Sequence, residues 1–183
     1  MNKKSSQKRR EREPETQRPE LWIEPVQGPG DLECAFAIRE IAFIEEQRVA
    51  PDIERDAADA HAFHVLAYAH GHAVGTGRLV QLDAPPEGTS GGRWGRIGRI
   101  AVMQSSRGKG LAHRILGALE AEAARRGIDT VLLHAQTWLR QFYERTGYEA
   151  VGESFEEAGL PHIRMVKRLD VITEAQHDSG EMP

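Results

Sequence analysis

Hydrophobic positions along this chain alternate between a strand-like and a helix-like period. Leu21-Trp22-Ile23 is a short β-prone run closed by Pro25 and Gly28-Pro29-Gly30, and Asp31 stands where a helix N-cap belongs. Leu32, Ala35, Phe36, Ala42 and Phe43 then recur at helical spacing as far as about Gln47. Arg39 lies on the flank of that stripe, and Pro51 ends the region. Phe63 to Tyr68 and Ala73 to Leu82 are β-prone and flank His70-Gly71-His72, which predicts a hairpin. A flexible Pro/Gly loop covers Asp83 to Gly92. A strand from Ile97 to Met103 follows, then a glycine turn, then a helix ending at Gly127 whose Leu111, Ile115, Leu116, Leu119 and Ala123 share one face. Thr130 to His134 reads as a strand covered on both faces, and Trp138 to Arg145 as a helix closed by Gly147. Tyr148 to Phe155 and His162 to Lys167 are the last two strands. Strands alternating with helices, without a repeat, predict one α/β or α+β domain with a mixed sheet.

Composition narrows the function classes. At 183 residues, with 39% hydrophobic and 28% charged content, the chain suits one globular domain and one site. It has no apolar run of membrane-spanning length and no secretory signal behind Met1-Asn2-Lys3-Lys4, so the expected compartment is the cytoplasm, without membrane insertion. The single cysteine, Cys34, excludes an intramolecular disulfide and a cysteine-based zinc cluster. His61 with His64, and His70 with His72, lack a third ligand, so no metal is expected. Residues 1–20 hold seven Lys/Arg against four Asp/Glu, a local charge of +3 that leaves −7 on the rest of a chain whose formal charge is −4. This segment has no aromatic residue for base stacking and mixed charges. It therefore reads as a disordered basic leader, and nucleic-acid binding is not expected. Residues 170–183 lack periodicity and read as a disordered tail, which leaves 21–169 as the domain.

The chemistry is carried by Ile100-Ala101-Val102-Met103-Gln104-Ser105-Ser106-Arg107-Gly108-Lys109-Gly110-Leu111-Ala112, a strand running through a glycine turn into a helix. Converging backbone N–H groups and the positive end of a helix make such a turn an anion site. A P-loop needs Ser or Thr after Gly-Lys, where this chain has Gly110. A dinucleotide fingerprint needs a small residue where His113 stands. Arg-x-x-Gly-x-Ala at Arg107, Gly110 and Ala112 instead resembles the pyrophosphate signature of the GNAT acetyltransferases. Phe142-Tyr143-Glu144-Arg145-Thr146-Gly147-Tyr148 resembles a second segment of that superfamily. Arg39 to Gln47, Glu54, Asp56, Ala135-Gln136 and Glu156 to Ile163 resemble its ElaA-like branch.

The resemblance implies the GNAT fold, an α/β (α+β) arrangement with a mixed central sheet of six to seven strands flanked by helices. It also implies transfer of an acetyl group from acetyl-CoA to a primary amine, on a small molecule or peptide, by direct attack in a ternary complex. A non-catalytic acyl-CoA-binding or sensing module is the alternative, against which Tyr143 speaks; a homodimer is the assembly the family suggests. The pantetheine arm is expected along Ile100, Ala101 and Val102, with the Val102 N–H as oxyanion donor. Arg107, Gly108, Lys109, Gly110, Leu111 and Ala112 are expected to hold the pyrophosphate, and Gln136 stands where many relatives have a CoA-contacting Asn. Tyr143 is the implied general acid. An amine with a pKa near 10.4 also needs a base, for which Glu45, Glu46, Glu54, Asp56 and His162 are candidates. Glu46 matches the ElaA-like pattern best, and His162 can relay a proton.

Overall fold

The computed structural model describes residues 19–170. Apart from residues 19, 20 and 170, the expected leader and tail lie outside the described residues. The chain builds one seven-stranded sheet from β1 (Leu21–Pro25), β2 (Phe63–Ala69), β3 (His72–Gln81), β4 (Trp94–Val102), β5 (Thr130–Gln136), β6 (Glu149–Glu157) and β7 (Leu160–Arg168). Four helices accompany it: α1 (Pro29–Arg39), α2 (Pro51–Glu54), α3 (Leu111–Arg125) and α4 (Arg140–Glu144). The strand order is β1-β2-β3-β4-β5-β7-β6. Every neighbouring pair is antiparallel except β4 and β5. This is the mixed α+β architecture expected from the alternating periods.

Strand alternation divides the core. Val65 and Ala67 of β2 join Ile115, Leu116 and Leu119 of α3, whereas Leu66 and Tyr68, pointing the other way, join Ala35, Ile38 and Ala42 beside α1. The sheet is thus covered on both faces. On the α3 face contact is close: a Cβ added to Gly77 would lie 2.6 Å from Ile115 Cγ2 and 2.9 Å from Leu119 Cδ1. Glycine at this point lets the helix approach the strand.

The first helix differs from expectation at both ends. It starts at Pro29 with Gly28 as N-cap, because proline is pre-set for the first helical position and gives up no needed donor there. Asp31 falls inside the first turn, where its Oδ2 accepts from the Gln27 N–H at 3.0 Å. From Glu40 to Glu45 the chain winds as a π-helix, with the Glu46 N–H bonded to Ile41 O. Such segments are frequent at functional sites. The strand expected to begin at Ile97 begins at Trp94, and the expected helix from Trp138 to Arg145 is a 3₁₀ turn (Thr137–Leu139) followed by α4.

Candidate active site

The site arises where β4 and β5 part. Their parallel pairing runs only from Trp94 to Arg96 against Thr130 to Leu132, although β4 continues to Val102 and β5 to Gln136. On its other side β4 carries a bulge against β3, between the pairs Thr76 with Ala101 and Arg78 with Gly98. Arg99 in that bulge has φ +54°, a left-handed conformation that is uncommon for a residue with a side chain. The divergence opens a cleft with a cavity volume of about 170 Å³, many times the room one water needs. It is bordered by Arg96 to Ile100 on β4 and by Leu133, His134 and Gln136 on β5; Phe43, Gln47, Tyr143, Glu157 and His162 close it.

The sheet register places the polar side of this cleft. Gln136 pairs with His162 and His162 with Phe155, so these three share a row across β5, β7 and β6. His134, two residues before Gln136, and Glu157, two residues after Phe155, lie on the same face. Glu157 Oε2 stands 2.5 Å from His134 Nδ1, and Arg96 Nη2 donates to Glu157 Oε1 at 3.2 Å. The hydrogen bond from His134, with burial opposing and the His134 and Arg96 charges assisting, pulls the Glu157 carboxyl down to about 2. His162 Nδ1 lies 2.8 Å from Leu160 O, an acceptor only, so it carries the proton. Both imidazoles therefore keep Nε2 as the nitrogen with the free lone pair when neutral. His134 and Glu157 were missed as candidates.

Tyr143 borders the cleft, buried against Phe142 and Tyr148. Burial pushes its phenol up to about 12. Full transfer of that proton to a thiolate whose conjugate acid lies near 8.5 is then uphill by about 5 kcal/mol. The hydroxyl suits hydrogen-bond donation better than complete proton transfer.

At the far end of β4, Gly108 and Gly110 adopt φ of +77° and +75°, and a Cβ on either would meet nothing within 4 Å. Glycine is needed there for its conformation, and the turn is open in front of α3. Gly110 is the N-cap, no side chain caps the helix, and no acidic residue lies in its first turn. The first N–H groups of α3 are thus free of helical partners, and the helix dipole adds positive potential.

Several expected residues land elsewhere. Of Ile100, Ala101 and Val102, only Ile100 borders the cleft. Ala101 and Val102 are buried in the two core clusters, and the Val102 carbonyl accepts from Arg107 Nε at 2.9 Å. The bulge at Arg99 interrupts the pairing with β3 just before Ile100, which changes which residues of β4 face the cleft. Glu46 lies outside the cleft lining and pairs with Arg107 Nη2 at 2.5 Å. Gln136 borders the cleft, donating to Gln47 Oε1 at 2.7 Å.

Glu54 and Asp56 belong to a buried ionic network instead of standing free as bases. Arg39, 0% exposed, reaches Glu54 Oε1 at 2.5 Å and Asp59 Oδ1 at 2.7 Å, and Arg78 reaches both Asp56 and Asp59 at 2.7 Å. Burial pushes the Asp59 carboxyl up, but the hydrogen bonds from Arg39 and Arg78 outweigh it and hold the group well below the usual range. Asp56 is lowered by its hydrogen bond from Arg78, and burial lowers His64, whose Nε2 lies 3.1 Å from Asp59 O. Unfolded carboxyls titrate near 3.9 and unfolded histidine near 6.5. Stabilisation from depressed carboxyls is complete above about 3.9 and is lost as pH falls toward their folded values. Below about 6.5 the unfolded chain also takes up the proton that folded His64 resists. Melting temperature should therefore be flat above neutrality, decline below about pH 6.5 and fall more steeply below about pH 4. Thermal melts from pH 3 to 8 check this, and a flat profile down to pH 4 would contradict it.

A splayed parallel strand pair, a bulged β4 and an open glycine turn in front of a helix with free N–H groups thus lie along one strand. Residues 37–169 match the family described as an acetyltransferase (GNAT) domain, and the chain belongs to that family. It is 35% identical over 137 residues to the uncharacterized N-acetyltransferase YjcF of Bacillus subtilis, covering 74% of this chain and 91% of YjcF. To ElaA of Escherichia coli it is 28% identical over 151 residues, 82% of this chain and 92% of ElaA. The ElaA crystal structure superposes with a TM-score of 0.67 over 80% of this chain and 99% of that one. An acyl-CoA N-acyltransferase structure from Pseudomonas aeruginosa gives the same score at 28% identity, covering 80% and 99% of the two chains. The protein is an acyltransferase that takes an acyl-CoA co-substrate and an amine. No described helix is long and apolar enough to cross a membrane, and no group of three His, Cys, Asp or Glu among the described residues is placed to hold a metal ion.

Proposed function

We propose that residues 21–169 form an N-acetyltransferase domain that moves the acetyl group of acetyl-CoA to a primary amine of a small molecule or peptide by direct attack. The observation that carries this is the cleft lining itself, which contains no Cys, Ser, Thr or Lys among the described residues. Cys34 is exposed on α1, away from the cleft. With no thiol, aliphatic hydroxyl or amine in the lining to take up the acyl group, direct attack by the substrate amine in one ternary complex is the favoured route.

Acetyl-CoA supplies an activated thioester. The open N–H groups after Gly110 hold its pyrophosphate, and Arg107 turns from Glu46 to join them. That exchange costs little, since the Arg107–Glu46 pair is partly exposed and such pairs contribute about 0–1 kcal/mol. Glu46 therefore holds Arg107 beside the turn until the pyrophosphate arrives. Backbone N–H groups at the bulge polarise the thioester carbonyl. His162, with His134 beside it, accepts the proton from the amine as the C–N bond forms and the C–S bond breaks, and Tyr143 donates a hydrogen bond to the departing thiolate.

Initial-velocity kinetics with acetyl-CoA and a primary amine should give intersecting lines. Tyr143→Phe should lower kcat roughly 10- to 100-fold with acetyl-CoA affinity unchanged. Parallel lines, or a Tyr143→Phe variant with full kcat, would contradict the scheme.

A further inference from the structure

The end of the cleft away from the glycine turn is lined by three arginines, Arg78, Arg96 and Arg99. The GNAT chemistry just described uses none of them. Along β4, Arg96 lies about 20 Å and Arg99 about 10 Å from Val102, so both stand apart from the expected pyrophosphate position beyond Gly108. Their hydrogen bonds are incomplete. Arg78 is buried, gives its terminal nitrogens to Asp56 and Asp59, and leaves Nε without a partner. Arg99 gives Nε to Glu54 O at 3.0 Å and Nη2 to Ile53 O at 2.9 Å, with longer contacts to Asp56 Oδ2 at 3.4 Å and Glu54 Oε1 at 3.8 Å. Its Nη1 has no partner among the described residues. Arg96 engages only Nη2, donating to Glu157 Oε1.

Neutral main-chain carbonyls satisfy most of the Arg99 guanidinium without cancelling its charge. Burial, and then the Arg78 and Arg39 charges, push its pKa down despite the carboxylates nearby. Its two carboxylate contacts are long and are shared with Arg39 and Arg78, and the group faces a cleft in which an amine must sit. A planar anion that accepts from two guanidinium N–H groups makes charge-assisted hydrogen bonds with donors left open on Arg99 and Arg96.

Resting on the acetyltransferase reading, we infer that the acceptor is an aminocarboxylate, whose carboxylate is bound by Arg99 and Arg96 at the mouth of the Arg78 pocket while its amine faces His162 and His134. Arg99 and Arg96 are then specificity-determining residues. The bulge at Arg99 gains a purpose: it turns one arginine of an otherwise regular strand toward the acceptor.

The test uses the whole chain with acetyl-CoA and a panel of α-amino acids and three- to six-carbon ω-amino acids, each compared with its own carboxamide by thiol release. The acids should be preferred at least ten-fold in kcat/KM for the best pair, mostly through KM. Arg99→Gln and, separately, Arg96→Gln should each shrink that preference several-fold while acetyl-CoA affinity stays unchanged. Arg96 is the more exposed of the two, so its variant guards against a folding defect in the other. Acids no better than their carboxamides, including the case in which neither reacts, overturn the carboxylate site. So does a preference that survives in both variants. Loss of acetyl-CoA binding in the unaltered protein would instead overturn the acetyltransferase reading beneath it.

Discussion

Arg39→Met should melt roughly 6 to 20 °C below the unaltered protein, the largest stability loss expected from any single substitution in this chain. The guanidinium is completely buried and binds Glu54 Oε1, Glu54 O and both Asp59 oxygens within 3.0 Å. Methionine keeps much of the stem's volume, so packing is nearly preserved while two carboxylates lose a counter-ion. Removing one partner of a buried pair costs about 3–5 kcal/mol, and for a domain of this size each kcal/mol moves the midpoint by about 2–4 °C. Function should suffer with stability. Glu54 borders the cleft, and its carbonyl holds both Arg39 and Arg99, so the acceptor end loosens when the anchor goes. A variant melting within 2 °C of the parent would show that the network contributes little.

Gly110→Glu should weaken acetyl-CoA binding at least 100-fold and change the fold far less. At φ +75° an L-residue costs about 1–2 kcal/mol, but the new Cβ meets no atom within 4 Å, so no core contact is disturbed. The carboxylate, however, enters the space the pyrophosphate needs and repels it. At about 5 Å and an effective dielectric near 20, two unit charges repel by about 3 kcal/mol, which exceeds the 2.7 kcal/mol of a 100-fold change. Gly110→Ala carries the same backbone strain without the charge and should lose much less affinity. Equal losses in both variants would assign the effect to strain and would remove the argument for a phosphate site at the turn.

The parts of this account that were legible in the sequence are those with a local signal. The β2–β3 hairpin announced itself at His70-Gly71-His72, α3 by its five-residue apolar face, and the glycine turn by Arg107, Gly110 and Ala112. The start of α1 was obscured because Asp31 offers a cap as well as Pro29 offers a first turn. The π-helix after Arg39 has no compositional signature, since one extra residue per turn leaves the amino-acid pattern of an ordinary helix. The burial of Arg39, on the flank of the apolar stripe, was hidden because arginine is rarely buried and its partners Glu54 and Asp59 are 15 and 20 residues away. His134 and Glu157 become neighbours only through the pairing of β5 with β7 and β7 with β6. One clue was present: His134 ends the apolar run Val131-Leu132-Leu133, where a polar ring needs a partner. That the Ala101 and Val102 side chains turn into the core while Ile100 borders the cleft was hidden for a related reason, because a bulge shifts which residues face a cleft and spacing along the strand does not reveal it.

The central claim is that the gap between β4 and β5, continued by the Gly108–Gly110 turn, is an acyl-CoA slot. Calorimetric titration of acetyl-CoA into the intact chain tests it most directly. Saturable one-to-one binding in the micromolar range is the predicted result. A folded protein that shows no binding at millimolar acetyl-CoA would contradict the account.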